Sequence, residues 1–271
     1  MYQKEIGIIT KWWKKSNLMK KVSFARDRLV ESYIWSLVFC HRLEYNKGRM
    51  FEKKMMACAT IIDDTYDAYG TIKEAIQNEI LISLELFHNI FKLIKCYMVE
   101  AKWCHEGFIP TYDEYKVNGI LTSIFTPLMA SFIGLGEFTT KDVFDWIFSN
   151  PTIMEAVSII ARVLNDMSSH KFEQQTAHVA SPIECCMKQY CVSQAETCNL
   201  ICKDVEDYWK VINKEYNMSI DIPKSVLDCV VNYASMSEVT YKNYQDKFIN
   251  GELLKDYVSS FLMNPIFIDQ H

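Results

Sequence analysis

Between Met55 and Asp67 the chain passes from apolar to charged without a break. The run Met55-Met56-Ala57-Cys58-Ala59-Thr60-Ile61-Ile62 is followed at once by Asp63-Asp64-Thr65-Tyr66-Asp67. Three carboxylates therefore fall within about one helical turn. Residues four apart share a helix face, so Asp63 and Asp67 point the same way. Like charges stacked against an apolar segment are costly unless a cation neutralises them. The stretch is either a solvated acidic helix end or one wall of a metal site. Oxygen-only ligands on a rigid helix suit a hard divalent ion, Mg²⁺ where a phosphate completes the shell.

The pattern recurs further along. Ile159-Ile160-Ala161-Arg162-Val163-Leu164 leads into Asn165-Asp166-Met167-Ser168-Ser169-His170-Lys171-Phe172-Glu173. Asn165, Ser169 and Glu173 fall at i, i+4 and i+8, a single stripe of oxygen donors spaced about 6 Å per step. An amide, a hydroxyl and a carboxylate together can hold one Mg²⁺; ordinary polar residues near a helix end look the same. Two stripes, each prolonging an apolar run, point to a cavity with metal sites on both walls. Arg162 stands one turn before Asn165. Arg26-Asp27-Arg28 offers two forked guanidinium groups, suited to phosphate oxygens or to surface salt bridges.

Only 8 Gly and 6 Pro punctuate 271 residues, so long helices are expected rather than a turn-rich β fold. The length is enough to bury a substantial core. Apolar residues recur with helical period over 24–39, 50–69, 72–103, 112–133, 153–174, 193–215 and 222–241. Thr140 before Lys141 marks a helix start, and Ser149-Asn150-Pro151-Thr152 a boundary. No repeat, low-complexity tract or linker divides the chain. The reading is an all-α fold in one unit over residues 1–271.

The run from Gly119 to Gly136 carries no charge and is long enough to raise a membrane question. Thr122, Ser123, Thr126, Pro127 and Ser131 make it a poor span. A buried helix beside an apolar pocket fits it better, kinked or broken by Pro127. No signal peptide is evident. The 10 Cys show no C-x-x-C pair and no zinc spacing, and read as reduced core thiols of a cytoplasmic protein. A net charge of −5 argues against a nucleic-acid partner. The lack of a Gly-rich phosphate loop argues against nucleotide hydrolysis.

In order along the chain, five stretches resemble the catalytic domain of plant class I terpene synthases, most closely the sesquiterpene-forming branch. They are Arg26-Asp27-Arg28-Leu29-Val30-Glu31-Ser32-Tyr33-Ile34-Trp35, then Asp63-Asp64-Thr65-Tyr66-Asp67 (the family's DDxxD), and Asn165 through Gln174 (its NSE-type motif). Ala180 through Tyr190 and the ending from Leu254 to Ile266 follow. The likeness runs along nearly the whole chain.

The resemblance implies a class I terpenoid synthase helical bundle around a central apolar pocket. It implies a prenyl diphosphate substrate, farnesyl diphosphate first, converted to a sesquiterpene with release of diphosphate. Asp63 and Asp67 are expected to hold two Mg²⁺, and Asn165, Ser169 and Glu173 a third, with Mn²⁺ a possible substitute. Arg26, Arg28 and Arg162 are expected to bind the diphosphate, with Asp63, Asp67 and Asn165 contacting it through the metals. Asp64 and Asp166 support the ligands rather than touch metal. Trp35 and Tyr241 match aromatic pocket positions, and Asp246 keeps its spacing from Tyr241, so these three are expected to act in catalysis. The chemistry agrees. Cleaving an allylic C–O bond leaves a diphosphate, which metals and arginines stabilise. It also leaves a cation that needs a dry cavity lined by aromatic faces. The expected protein is a cytoplasmic monomer with no membrane span.

Departures follow from the same resemblance. The family's preceding helical domain is expected to be absent. The segment between Gly70 and Glu100-Ala101-Lys102-Trp103 is several tens of residues shorter than usual. His41-Arg42-Leu43 replaces a Phe-Glu-Pro, and Gln175, Thr176 and Ala177 replace basic residues and Gly. The alternative function is a truncated relative that binds metal-diphosphate weakly or not at all. A prenyl-chain-elongating synthase normally carries a second aspartate-rich motif, and Asn165/Ser169/Glu173 stands in its place here.

Overall fold

The computed structural model describes residues 2–22, 27–39, 41–69, 87–133, 140–175 and 178–262, with side chains for all of these except 21, 62, 65–69, 87–91 and 261. Among the described residues every regular element is a helix. They are α1 (Tyr2–Ser16), α2 (Leu18–Lys21), α3 (Leu29–Phe39), α4 (Asn46–Tyr69), α5 (Phe87–Glu106), α6 (Tyr112–Thr122) and α7 (Phe125–Ile133). Then come α8 (Lys141–Phe148), α9 (Thr152–Glu173), α10 (Pro182–Tyr190), α11 (Gln194–Met218), α12 (Lys224–Thr240) and α13 (Lys255–Leu262). Arg26, the segment 70–86, Thr176, Ala177 and the ending from Asn264 lie outside the described residues.

Local chemistry fixes many of the boundaries. Thr111, Ser181 and Ser193 each accept a bond from the N–H three residues on, and the Glu at that position accepts one back from the cap's own N–H. Pro182 occupies the first turn of α10, where its missing N–H costs nothing. Thr140 caps α8, as its position predicts. At the start of α3 the Asp27 carboxylate accepts from the Leu29 N–H at 3.3 Å, so that helix begins at Leu29.

The 112–133 run divides in two. α6 ends at Thr122, α7 starts at Phe125, and Ile124 between them sits at φ 63. A proline ring clashes with the carbonyl four residues back and offers it no N–H. The break expected from Pro127 therefore falls one turn ahead of it. Residues 112–133 are apolar and long enough for a membrane span by length and composition, but half of that window is buried in the bundle.

α9 is the axis of the packing, touching α6, α7, α10, α11 and α12, while α4 packs on α1, α3 and α7, and α12 closes onto α3. Gly48 lets α4 cross α7 closely, since a Cβ there would meet the Phe132 carbonyl oxygen at 2.6 Å. α1 is fastened to α4 by a buried ion pair. Arg49 Nη2 lies 2.7 Å from Glu5 Oε1, and the Tyr33 hydroxyl donates to Glu5 Oε2 at 2.9 Å.

Candidate active site

The two oxygen-bearing stripes meet at one cavity of about 130 Å³. α4 contributes Met56, Ala59, Thr60 and Asp63, and α9 contributes Ala161, Arg162 and Asn165. Tyr97 of α5, Ser123, Ile124 and Leu128 around the α6–α7 break, Trp35 of α3 and Tyr233 of α12 complete the walls, with Tyr241 and Phe248 beyond α12. Asp63 stands about 10 Å along α4 from Met56. The lining is charged at Asp63 and Arg162 and aromatic where Trp35 packs on Tyr233, Tyr241 and Phe248 at centroid distances of 4.9, 6.4 and 6.4 Å, and the Tyr241–Asn165 hydrogen bond joins the two parts.

Arg162 is the hub of the charged part. Its Nε lies 2.9 Å from Asp166 Oδ2, and its Nη2 lies 3.7 Å from Glu100 Oε1. Both carboxylates are themselves held. The Tyr115 hydroxyl donates to Asp166 at 2.7 Å, while Asn118 and Thr122 each donate to Glu100 at 2.9 Å. Gly119 makes room for this arrangement, because a Cβ there would press on Arg162 Cγ at 3.2 Å. Burial alone would lower the Arg162 guanidinium, but Asp166 and Glu100 hold it well above its ordinary value. Burial raises Asp166 and Glu100, and Arg162 opposes the rise in each.

The α4 side is less compensated. Burial raises Asp63, with Asp64 and Asp166 pushing the same way, against Arg162 and a hydrogen bond from Tyr97. Further along α9, burial and Asp166 push Glu173 up to about 7, against a hydrogen bond from Ser169. Tyr241 is raised by burial and by Asp246, while Asn165 hydrogen-bonds its hydroxyl.

The structure brings Trp35, Asp63, Arg162, Asn165 and Tyr241 to one cavity, sets Asp246 beside Tyr241, and bonds Ser169 to Glu173 on the same α9 face. Arg28 stands elsewhere than a free phosphate grip would require. It is buried, its Nη1 donates to the Phe248 carbonyl, and its guanidinium lies 5.0 Å from the Phe248 ring centre. It braces a cavity wall from behind. Asp67 continues α4 one turn past Asp63, and its side chain lies outside the described residues, as does the whole of Arg26. Phe125 is fully buried and packs on Phe39 and Tyr233 as core rather than cavity lining.

Sequence reading did not single out Tyr97, Glu100, Tyr115, Tyr233 or Phe248. Tyr97 and Glu100 sit three apart on α5 and both face inward, a signal visible only once that helix's inner side is known. The others matter through approach in space.

A divalent metal fits this donor set. Asp63, Glu100, Asp166 and Glu173 all feel Arg162, and burial, then neighbouring negative charge, disfavours the carboxylates of Asp63 and Glu173. All the donors are oxygen, as Mg²⁺ requires. Among the described residues no group of three or more His, Cys, Asp and Glu side chains is placed to hold a metal ion; the α9 set is one amide, one hydroxyl and one carboxylate, and the Asp67 side chain lies outside the described residues.

Comparison with known proteins agrees with this architecture. The model of the terpene synthase family, metal binding domain, matches residues 14–83 and 77–211. A probable sesquiterpene synthase of Santalum austrocaledonicum is 35% identical over 309 residues, covering 98% of this chain and 55% of the relative. The (-)-germacrene D synthase of Vitis vinifera is 35% identical over 308 residues with the same coverage. In fold, the chain resembles isoprene synthase from grey poplar leaves (Populus x canescens) in complex with three Mg²⁺ ions and dimethylallyl-S-thiolodiphosphate. That likeness has a TM-score of 0.84 at 23% identity, over 99% of this chain and 59% of that one. The chain spans about half the length of the curated relatives it matches. The alignments are longer than the chain, and the family match divides at 77–83, so the relatives carry residues that this chain lacks after Gly70.

Proposed function

The chain belongs to the terpene synthase family, and from that premise we propose that it ionises a prenyl diphosphate, farnesyl diphosphate first, and steers the cation to a sesquiterpene. One observation carries the reading: Asp63, Arg162 and Asn165, from two helices, line the same cavity as Trp35, Tyr233, Tyr241 and Phe248. The sesquiterpene synthases among its relatives support the choice of a fifteen-carbon substrate.

The residues divide the work by position. Arg162, fixed by Asp166 and Glu100, holds a permanent positive charge where the diphosphate oxygens would lie. Asp63 with Asp67, and Asn165 with Ser169 and Glu173, would hold Mg²⁺. The metal supplies positive charge to the departing diphosphate as its negative charge grows. Trp35, Tyr233, Tyr241 and Phe248 exclude water and present ring faces to the hydrocarbon cation. Tyr241 keeps its proton, because burial and Asp246 both disfavour the phenolate. The cavity is below the roughly 300–1,000 Å³ usual for ligand sites, so the prenyl chain must displace wall side chains on entry. Met56, with its unbranched flexible side chain, is the wall residue best able to yield.

The test is incubation of the purified chain with geranyl and farnesyl diphosphates, with and without Mg²⁺, followed by assay of diphosphate and of volatile products. The expected result is metal-dependent release of both. Failure to release diphosphate from any prenyl diphosphate overturns the reading.

A further inference from the structure

We propose that Glu52 makes the aromatic part of the cavity a subsite for positive charge, acting through Tyr233 as a positioning residue for the hydrocarbon cation. The inference rests on the function proposed above. Glu52 lies on α4 one turn ahead of Met56, on the face that carries Met56, Ala59 and Asp63 into the cavity. It is 0% exposed. Its Oε2 accepts from the Ser36 hydroxyl of α3, and its Oε1 is buried with no hydrogen-bond partner. Leaving such an oxygen unsatisfied is costly.

The group that feels this carboxyl from the cavity side is Tyr233. Its phenol is pushed up by burial and then by Glu52. The Tyr233 ring stands 4.9 Å from Trp35, 5.2 Å from Phe39 and 4.4 Å from Phe125. The carboxyl thus lies by this ring cluster: it bonds Ser36, the α3 neighbour of the cavity residue Trp35, and it acts on Tyr233. Ring faces attract a cation, and a carboxylate beside them adds a Coulomb attraction strengthened by the dry surroundings.

Burial pushes Glu52 up to about 8, against the Ser36 bond and the Lys53 charge. Near neutral pH it is mostly the neutral acid, and a cation beside it favours the carboxylate, whose proton is released to the buffer. The other charged groups around it are accounted for. Burial lowers Lys53 to about 7, against Glu52, Asp27 and Glu31, and its ammonium donates to the Leu29 carbonyl. Arg49, one turn back on α4, is tied to Glu5.

The test uses a quaternary ammonium ion bearing a farnesyl chain, whose charge is independent of pH, with Mg²⁺ and inorganic diphosphate present. Its affinity for the whole chain is measured by calorimetry at about pH 6.5 and about pH 9, either side of the Glu52 transition. The wild-type chain should bind the ion ~tenfold more tightly at the higher pH. Glu52→Gln should show the lower affinity at both. Ser36→Ala removes a bond that favours the carboxylate, so it should move the wild-type midpoint to higher pH; this shift decides the matter alone if Glu52→Gln does not fold. No pH response in the wild type, a response that survives Glu52→Gln and so belongs to another group such as Lys53 or Glu173, or no binding at either pH overturns the proposal. Because the probe needs no turnover, an intact pH response in a chain that releases no diphosphate rejects only the proposed function.

Discussion

Two regions of the cavity differ in how closely their buried charges are paired. Around Arg162 on α9 the charges are paired: Arg162 lies between Asp166 and Glu100, and those carboxylates are held by Tyr115, Asn118 and Thr122, while Glu173 at the far end of the helix is left pushed up to about 7. On the α4 side burial raises Asp63 and Glu52, and the nearest lysine on that helix, Lys53, turns its ammonium to a backbone carbonyl. The wall around Arg162 is finished before any ligand arrives. The other carries a cost that a cation relieves. Stability and activity should therefore separate when the walls are mutated, and the separation can be measured.

The largest effect is expected on the finished wall. Arg162→Ala leaves two buried carboxylates without their cation, which costs about 3–5 kcal/mol. Urea denaturation should show that loss, together with no diphosphate release. A loss below ~1 kcal/mol would mean that water already screens Asp166 and Glu100, and the contrast between the walls would disappear.

Asp63→Asn tests the other wall. It removes a disfavoured charge, so the metal-free protein should melt no lower than wild type. Turnover should fall by about 10²–10³, the scale of removing one group that stabilises the departing charge. The thermal stabilisation given by Mg²⁺ with diphosphate should vanish too. Wild-type turnover in this variant would remove Asp63 from the metal site.

Glu52→Gln should change how stability depends on pH. A carboxyl raised in the fold does not penalise the protein below its ordinary range near 4.5. The penalty grows as pH rises from there to about 8, and is constant above. Denaturation across that interval should show the wild type losing a few kcal/mol that Glu52→Gln keeps. Parallel curves for the two proteins would mean that Glu52 ionises without hindrance.

The smallest change is Tyr115→Phe, which deletes one bond to Asp166 and no volume in the cavity. About 1–2 kcal/mol of stability should go, with turnover reduced less than in Asp63→Asn. Equal losses of turnover in both would show that the α9 wall is no better organised than the α4 wall.

Much of the fold was legible in the sequence because helical period and capping are local. Thr140 capped the helix it marked, and Asp63, Arg162 and Asn165 reached one cavity as their stripes required. The break near Pro127 was legible in kind, and its position followed from which carbonyl the ring meets. Arg28 was not legible. A guanidinium that suits phosphate suits an aromatic face equally well, and its place against Phe248, far along the chain, follows from the fold alone. Glu100 and Tyr115 were hidden for a similar reason: their part depends on how closely α6 meets α9, which turns on the missing side chain of Gly119.

The ion pair between Glu5 and Arg49 carries a practical consequence. Arg49 shares one continuous rod with Asp63, so the opening helix is mechanically part of the catalytic wall. A protease that clips within the first sixteen residues, or a purification tag that levers them away, would strand a buried guanidinium at the foot of that rod. Losses of turnover traced to sample handling should be sought at this end of the protein before Asp63 is suspected.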